Sequence, residues 1–92
     1  MIMITFHLQI VTPDGLFFDG QAQKLTVRTT EGDVGILGGH SDYVTPLASG
    51  IARVTDENGD TKTAKCSGGI LSVKKGITRL AADSFEWDNQ GH

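Results

Sequence analysis

The residue types of a hydrolytic triad stand side by side at His40, Ser41 and Asp42. A Gly-x-Ser-x-Gly turn, which exposes a nucleophilic serine, would begin at Gly39 and need a second glycine where the chain has Tyr43. Adjacent side chains also point in diverging directions, so they cannot form the geometry of nucleophile, base and orienting acid. We therefore expect no catalytic residue here, and a small hydrolase built on His40 and Ser41 remains one alternative.

Acidic and amide side chains occur at alternate positions in Asp56, Asn58 and Asp60, the spacing that opens a calcium-binding loop. Such a loop requires glycine where the chain has Thr61, and a bidentate glutamate where it has Ser67. The pair Asn58-Gly59 is instead a strong signal for a β-hairpin. The segment is therefore predicted to be a solvated hairpin tip.

Three histidines, His7, His40 and His92, share no metal-ligand spacing with one another or with Cys66. The glycines around Ile36 resemble a phosphate-binding loop only in composition, because no Gly-Lys-Ser/Thr follows them and no helix begins there. We expect neither a metal ion nor a nucleotide or other cofactor.

The composition limits the partners of the chain. With 92 residues, 38% of them hydrophobic and 21% charged, the chain can form one soluble domain with a compact core. The net charge is -3 and the eight Lys and Arg are scattered, which argues against nucleic acid as a partner. The apolar start is too short for a signal peptide, so we expect cytoplasmic synthesis. Cys66 is the only cysteine and is predicted to be a small buried hydrophobe.

The elements that must carry these residues are strands. Residues 6–10 alternate between apolar and polar, and 16–18 and 23–29 are predicted to form two further strands. Glycines interrupt residues 31–40, which predicts short strand pieces with tight backbone turns. Pro46 predicts that residues 43–47 form an edge strand or the end of a strand.

Two hairpins follow. Residues 50–55 and 61–66 are expected to pair around Asn58-Gly59, and residues 70–73 and 77–82 around the turn Lys74-Lys75-Gly76. Only residues 83–89 could begin a helix. Many short strands with glycine-rich turns indicate an all-β sandwich or barrel.

The aromatic residues allow two interpretations. Phe6, Phe17 and Phe18 are predicted core residues, although an exposed strip of them would mark a partner surface. Trp87 lies in a polar tail, from which it could dock onto the sandwich or onto another subunit.

The order of these elements resembles the N-terminal domain of the ε subunit of bacterial F-type ATP synthases, the subunit called δ in mitochondria. The resemblance spans about residues 3–83. It is carried by four stretches in order, namely 6–13 (FHLQIVTP) with 18–20 (FDG), 31–37 (EGDVGIL) with 39–40 (GH), 67–73 (SGGILSV) and 80–83 (LAAD).

The resemblance implies a β-sandwich of two sheets with about ten short strands, occupying residues 1–84 and followed by a short tail at 85–92. It also implies a non-catalytic rotor subunit in the central stalk, which joins the γ subunit to the ring of c subunits. The subunit would couple proton or sodium translocation to ATP synthesis. It would reach the cytoplasmic face of the bacterial plasma membrane only as part of the complex.

The resemblance further implies two sets of contact residues. The ring contact maps onto Glu31, Gly32, Asp33 and Val34, with the two acidic residues facing basic and polar loops of the ring. The γ contact maps onto Thr12, His40, Ser41, Asp42, Tyr43, Val44 and Thr45. His40 is therefore interpreted as an interface residue rather than as a catalytic base.

The chain departs from the family pattern in three places. Gly38 stands where proline is common, and Ser41-Asp42 replaces Ala-Pro, so this loop is expected to be more flexible and more acidic. The chain ends at His92, where the family continues into a helical hairpin, and we expect inhibition and ATP binding by that hairpin to be absent. A stand-alone binding module that grips its partner through Phe17, Phe18 or Tyr43 is the principal alternative function.

Overall fold

A computed structural model describes residues 4–39 and 41–88 of the chain. Over these residues it contains nine strands, where about ten were expected. They are β1 (Phe6–Thr12), β2 (Gly15–Thr29), β3 (Gly32–Leu37), β4 (Tyr43–Pro46), β5 (Gly50–Asp56), β6 (Thr61–Ser67), β7 (Ile70–Lys74), β8 (Ile77–Ala81) and β9 (Ser84–Trp87).

The long strand β2 belongs to both layers of the sandwich. Its first half pairs with β1, and its second half pairs with β3 and β5. One layer therefore has the order β4-β7-β8-β1-β2, and the other contains β3, β2, β5, β6 and β9. The prediction of two strands at 16–18 and 23–29 was wrong, because a bulge between Ala22 and Lys24 bends the chain without ending the strand.

A single apolar core lies between the layers. Alternate residues of each strand point inward, and Leu8, Ile10, Leu25, Leu71 and Leu80 have no exposed surface. Burying such a side chain stabilises the fold by about 1.5–3 kcal/mol. Cys66 is also buried in this core, as predicted.

Both predicted hairpins are present, and Pro46 lies in the edge strand β4 as expected. In the first hairpin, the Oδ1 atom of Asp56 accepts the amide hydrogens of Asn58 at 2.9 Å and Asp60 at 3.0 Å. The carboxylate that could have opened a calcium loop therefore holds the turn together. In the second hairpin, Lys75 and Gly76 both have positive φ angles, which suits the twist of the strands.

The prediction that a helix could begin within residues 83–89 was wrong. Residues Ser84–Trp87 form β9, which pairs with β6 so that Phe85 lies opposite Cys66 and faces the core. The alternation of Phe85 and Trp87 with polar neighbours fits a strand, and this pattern outweighs the capping signal. Pairing with the sheet thus continues past residue 84, where we expected the sandwich domain to end.

Aromatic side chains join the two layers beside β9. A register shift in the β1–β2 pair near Phe18 lets the consecutive residues Phe17 and Phe18 both reach Trp87, with ring centroids 5.7 and 6.4 Å away. Phe17 and Phe85 lie 5.1 Å apart. Trp87 therefore docks onto the sandwich. Phe6 and Phe18 belong to the core or pack against it, whereas Phe17 remains 38% exposed.

Candidate functional site

The predicted ring contact is the tip of the β2–β3 hairpin. Thr29 and Gly32 are paired, so only residues 30 and 31 lie between the strands. The Thr29 hydroxyl donates to the Gly32 carbonyl at 2.7 Å and accepts the Glu31 amide hydrogen at 3.1 Å. Gly32 has a φ of +113°, which favours glycine. The tip is thus held by local hydrogen bonds that start from a buried threonine.

The acidic residues of this hairpin differ in their surroundings. The Asp33 carboxylate accepts a hydrogen bond from Nε of Arg28 at 2.8 Å, whereas no described residue bonds the exposed Glu31 carboxylate. Val34 is half-buried and packs against the core. Arg28 was not recognised in the sequence as part of this site. Its position directly opposite Asp33 across the hairpin could have revealed it.

Gly50 of β5 leaves room for the Arg28 side chain. A Cβ atom at Gly50 would lie 2.8 Å from the Cβ and 3.2 Å from the Cγ of Arg28. The backbone carbonyl of Arg28 also accepts the Ala48 amide hydrogen at 3.0 Å. The base of the hairpin is therefore attached to the chain that leads into β5.

The strand β4 carries part of the predicted γ contact and alternates in exposure. Val44 is 58% exposed, whereas Thr45 is 5% exposed and faces the core. Tyr43 is half-buried and packs against the core cluster. In this strand the Val44 side chain is the exposed one of the three predicted contacts.

The remaining predicted γ contacts lie near the end of β1 and before β4. The Asp42 carboxylate accepts the Lys75 amide hydrogen at 3.1 Å, which ties the segment to the β7–β8 turn. Ser41 is exposed, and His40 lies outside the described residues. Thr12 is half-buried, and its hydroxyl accepts the Asp14 amide hydrogen at 3.2 Å.

An apolar row crosses the outer face of the layer that contains β4, and the sequence did not predict it. Residues in register on neighbouring strands share one face, and five such residues are apolar and at least partly exposed. They are Pro46, Ile70, Ala81, Val11 and Leu16. Ile70 is 52% and Leu16 61% exposed, and Val44 lies beside the row. A contiguous apolar surface of this kind is typical of a protein contact.

A groove opens on the other side of the molecule, beside β9. Its volume is about 880 Å³, and Phe17, Ile51, Phe85 and Trp87 line it together with Cys66. Burial raises the pKa of the Cys66 thiol, and the negative charge of Asp83 raises it further. The thiol is therefore a poor nucleophile at neutral pH.

One short segment connects the two predicted contact regions. Leu47 follows β4, forms a β-bridge with Thr29 at the base of the β2–β3 hairpin, and donates its amide hydrogen to the Gly69 carbonyl at 2.9 Å. The strand that carries Val44 and the hairpin that carries Glu31 are therefore linked by backbone hydrogen bonds as well as by the chain.

The apolar row and the charged hairpin tip are features that suit binding to other proteins. Within the part of the chain that the structure describes, no group of three His, Cys, Asp or Glu could hold a metal ion. His7 pairs with Asp19 on the surface. Among residues 4–39 and 41–88, no helix is long and apolar enough to cross a membrane.

Residues 5–88 match the model of a protein family described as ATP synthase, Delta/Epsilon chain, beta-sandwich domain. The chain belongs to this family. It is 40% identical over 86 residues to the ATP synthase epsilon chain of Alkaliphilus oremlandii, covering 94% of this chain and 63% of that one. It is 36% identical over 86 residues to the epsilon chain of Clostridium novyi, covering 94% and 66%. The chain of 92 residues thus spans just under two thirds of the length of these two curated relatives.

Solved structures agree with the family assignment. One similar chain comes from the cryo-EM structure of OSCP, F1 and the c-ring of the Euglena gracilis mitochondrial ATP synthase. The alignment covers all of the present chain and 59% of the Euglena chain. The TM-score is 0.87 and the identity 26%. A chain from the central stalk and c-ring of the Tetrahymena thermophila enzyme has a TM-score of 0.72 at 18% identity, covering 86% and 63%, which shows the fold alone. The predicted family and the predicted all-β sandwich are confirmed.

Proposed function

We propose that this chain is a non-catalytic rotor subunit of an F-type ATP synthase, joining the γ subunit to the c ring. The observation that carries the proposal is the match over residues 5–88 to a family whose curated relatives are named ATP synthase epsilon chain. The subunit would transmit torque between proton or sodium translocation and ATP synthesis. It would lie at the cytoplasmic face of the bacterial plasma membrane through its partners.

The shape of the β2–β3 hairpin supports a ring contact at its tip. Hydrogen bonds from the buried Thr29 hold the tip, and the Glu31 carboxylate projects from it into solvent. A basic or polar loop would be attracted to this charge, and the attraction would weaken as salt increases. We place the ring contact at Glu31, Gly32, Asp33 and Val34.

The apolar row supports a second contact, with γ. It runs beside Val44, which was predicted to face γ, and extends that surface across β7, β8 and β1. Exposed apolar side chains such as Ile70 gain free energy when a partner covers them. We therefore place γ against Thr12, Val44 and this row, with Ser41 and Asp42 at its margin and Tyr43 and Thr45 supporting it from the core side. The predicted contact at His40 lies outside the described residues.

The connection through Leu47 supports the mechanical role. A load applied at β4 would reach the hairpin through the Leu47–Thr29 bridge and the Ala48–Arg28 hydrogen bond. Cross-strand hydrogen bonds in a packed sandwich resist such displacement. Catalysis, nucleotide and ion binding would belong to other subunits, so no cofactor is required here.

Reconstitution of the rotor tests the proposal. The chain should bind both γ and purified c ring, and Ile70→Asp should weaken binding to γ at least tenfold because it places a charge in the covered row. Ile51→Asp is the matched control, since Ile51 is 43% exposed on the other layer and should leave γ binding unchanged. If the chain bound neither partner, the rotor assignment would fail and a stand-alone binding module would replace it.

A further inference from the structure

We infer that Arg28 is a charge-setting residue of the ring contact, because it neutralises Asp33 and leaves Glu31 as the acidic group that the hairpin offers to its partner. The inference rests on the proposed rotor function and specifies the chemistry of one of its contacts. It replaces the expectation that Glu31 and Asp33 both serve as acidic contacts.

The geometry supports a formed ion pair. Arg28 and Asp33 are directly opposite across the hairpin, and the distance from Nε to the carboxylate oxygen is 2.8 Å. A charge-assisted hydrogen bond of this length has normal geometry. The aliphatic part of the Arg28 side chain lies over Gly50, where a Cβ atom would come within 2.8 Å. The arginine thus pairs with Asp33 at the surface, where the Arg28 side chain is 53% and the Asp33 side chain 58% exposed.

Glu31 differs in each of these respects. It lies at the exposed tip, and its backbone is fixed because its amide donates to Thr29. No basic side chain among the described residues bonds its carboxylate. A partner loop therefore meets one free negative charge at the tip. Two residues further along, it meets the Arg28–Asp33 pair, whose charges sum to zero.

This charge pattern predicts opposite effects for the two members of the pair. Asp33→Asn would leave the Arg28 cation without its partner and weaken binding to a basic loop, whereas Arg28→Gln would release the Asp33 charge and strengthen it. The double variant Arg28→Gln/Asp33→Asn removes both charges and should bind as the wild type does. Glu31→Gln should weaken binding, because it removes the free charge.

The test measures binding of the full chain to purified c ring at low salt for these four variants. Exposed charge pairs give changes of about two- to fivefold, so we expect Glu31→Gln and Asp33→Asn to weaken binding by that factor, and Arg28→Gln to strengthen it by about twofold. The affinity of the double variant for the ring should lie within about 1.5-fold of the wild-type affinity, because the two charges that it removes cancel. Salt near 1 M should abolish all these differences.

The outcomes separate the inference from the proposed function. Weakening by the double variant that equals the effect of Glu31→Gln would mean that Asp33 contacts the ring directly, which overturns the inference and keeps the ring contact. If none of the variants, including Glu31→Gln, changed binding, the ring contact at this hairpin would be wrong and the inference with it. Because the pair is exposed, all variants are expected to fold, and circular dichroism checks this.

Discussion

The close contact at Gly69 makes Gly69→Ala the sharpest test of the fold. A Cβ atom at this position would lie 2.0 Å from the Ala81 carbonyl oxygen and 2.8 Å from the Cα of Ala82. Both are backbone atoms, one in the last residue of β8 and one in the residue after it, so no side chain can rotate away. Gly69 also has a φ of +111°, which an alanine rarely adopts.

The expected loss of stability has two parts. Backbone strain at positive φ costs about 1–3 kcal/mol, and forcing apart packed atoms adds about 1–3 kcal/mol. Gly15→Ala is a matched control, because Gly15 has a φ of +118° with no atom within 4 Å of an added Cβ. The control therefore carries the strain without the overlap. A domain of this size has roughly 5–14 kcal/mol of stability, so the two variants should be clearly different.

Urea unfolding measures the difference, with Trp87 fluorescence and circular dichroism as independent probes. At a denaturant dependence near 1–1.5 kcal/mol per molar, an extra 2 kcal/mol lowers the midpoint by roughly 1–2 M relative to the control. Equal midpoints for Gly69→Ala and Gly15→Ala would show that Ala81 moves aside at no cost. The close approach of the two segments would then not be a constraint on this fold.

Three further perturbations probe the core, the C-terminal strand and the buried thiol. Leu80→Ala removes a side chain with no exposed surface and should lower the free energy of unfolding in urea by about 2–5 kcal/mol. A smaller loss would show that the two layers close over the cavity. Trp87→Ala removes the contacts with Phe17 and Phe85, so amide exchange should accelerate in β9 but not in β1; equal protection of β9 in both proteins would contradict the docking role of the ring. Because the pKa of Cys66 is raised in the folded state, the thiol ionises first in the unfolded chain as the pH rises. The stability of the wild type relative to Cys66→Ala should therefore fall above about pH 8.5. A stability difference between the two proteins that stays constant from about pH 7 to 10 in reducing buffer would refute this.

Local signals in the sequence predicted much of the fold. The turns at Asn58-Gly59 and Lys75-Gly76 need particular backbone angles that few residues adopt, so the hairpins around them could be identified directly. Alternation over residues 6–10 predicted β1 and its buried face, because side chains on a strand alternate with period two. The family resemblance supplied the two-layer arrangement, and the proposed positions of the contact segments rest on it as well.

The failures occurred where partners come from distant parts of the chain. Residues 84–87 are too few to specify a strand alone, and pairing with β6 and contact with Phe17 decide their structure. The unbroken length of β2 depends in the same way on β1 and β5, which support its two halves on either side of the bulge. Local propensity carries no information about these neighbours.

The sequence by itself therefore determined most of the strands and the two predicted hairpin turns, because each depends on residues close together in the chain. Only the tertiary structure brought Ile70 and Leu16 into one apolar row and placed Arg28 beside both Gly50 and Asp33. Such surfaces depend on the register of several paired strands. A shift of one residue in a strand would turn each of its side chains to the opposite face of the sheet. The proposed contact segments follow from the family resemblance, whereas the chemistry that they expose was decided by the packing of the sheets.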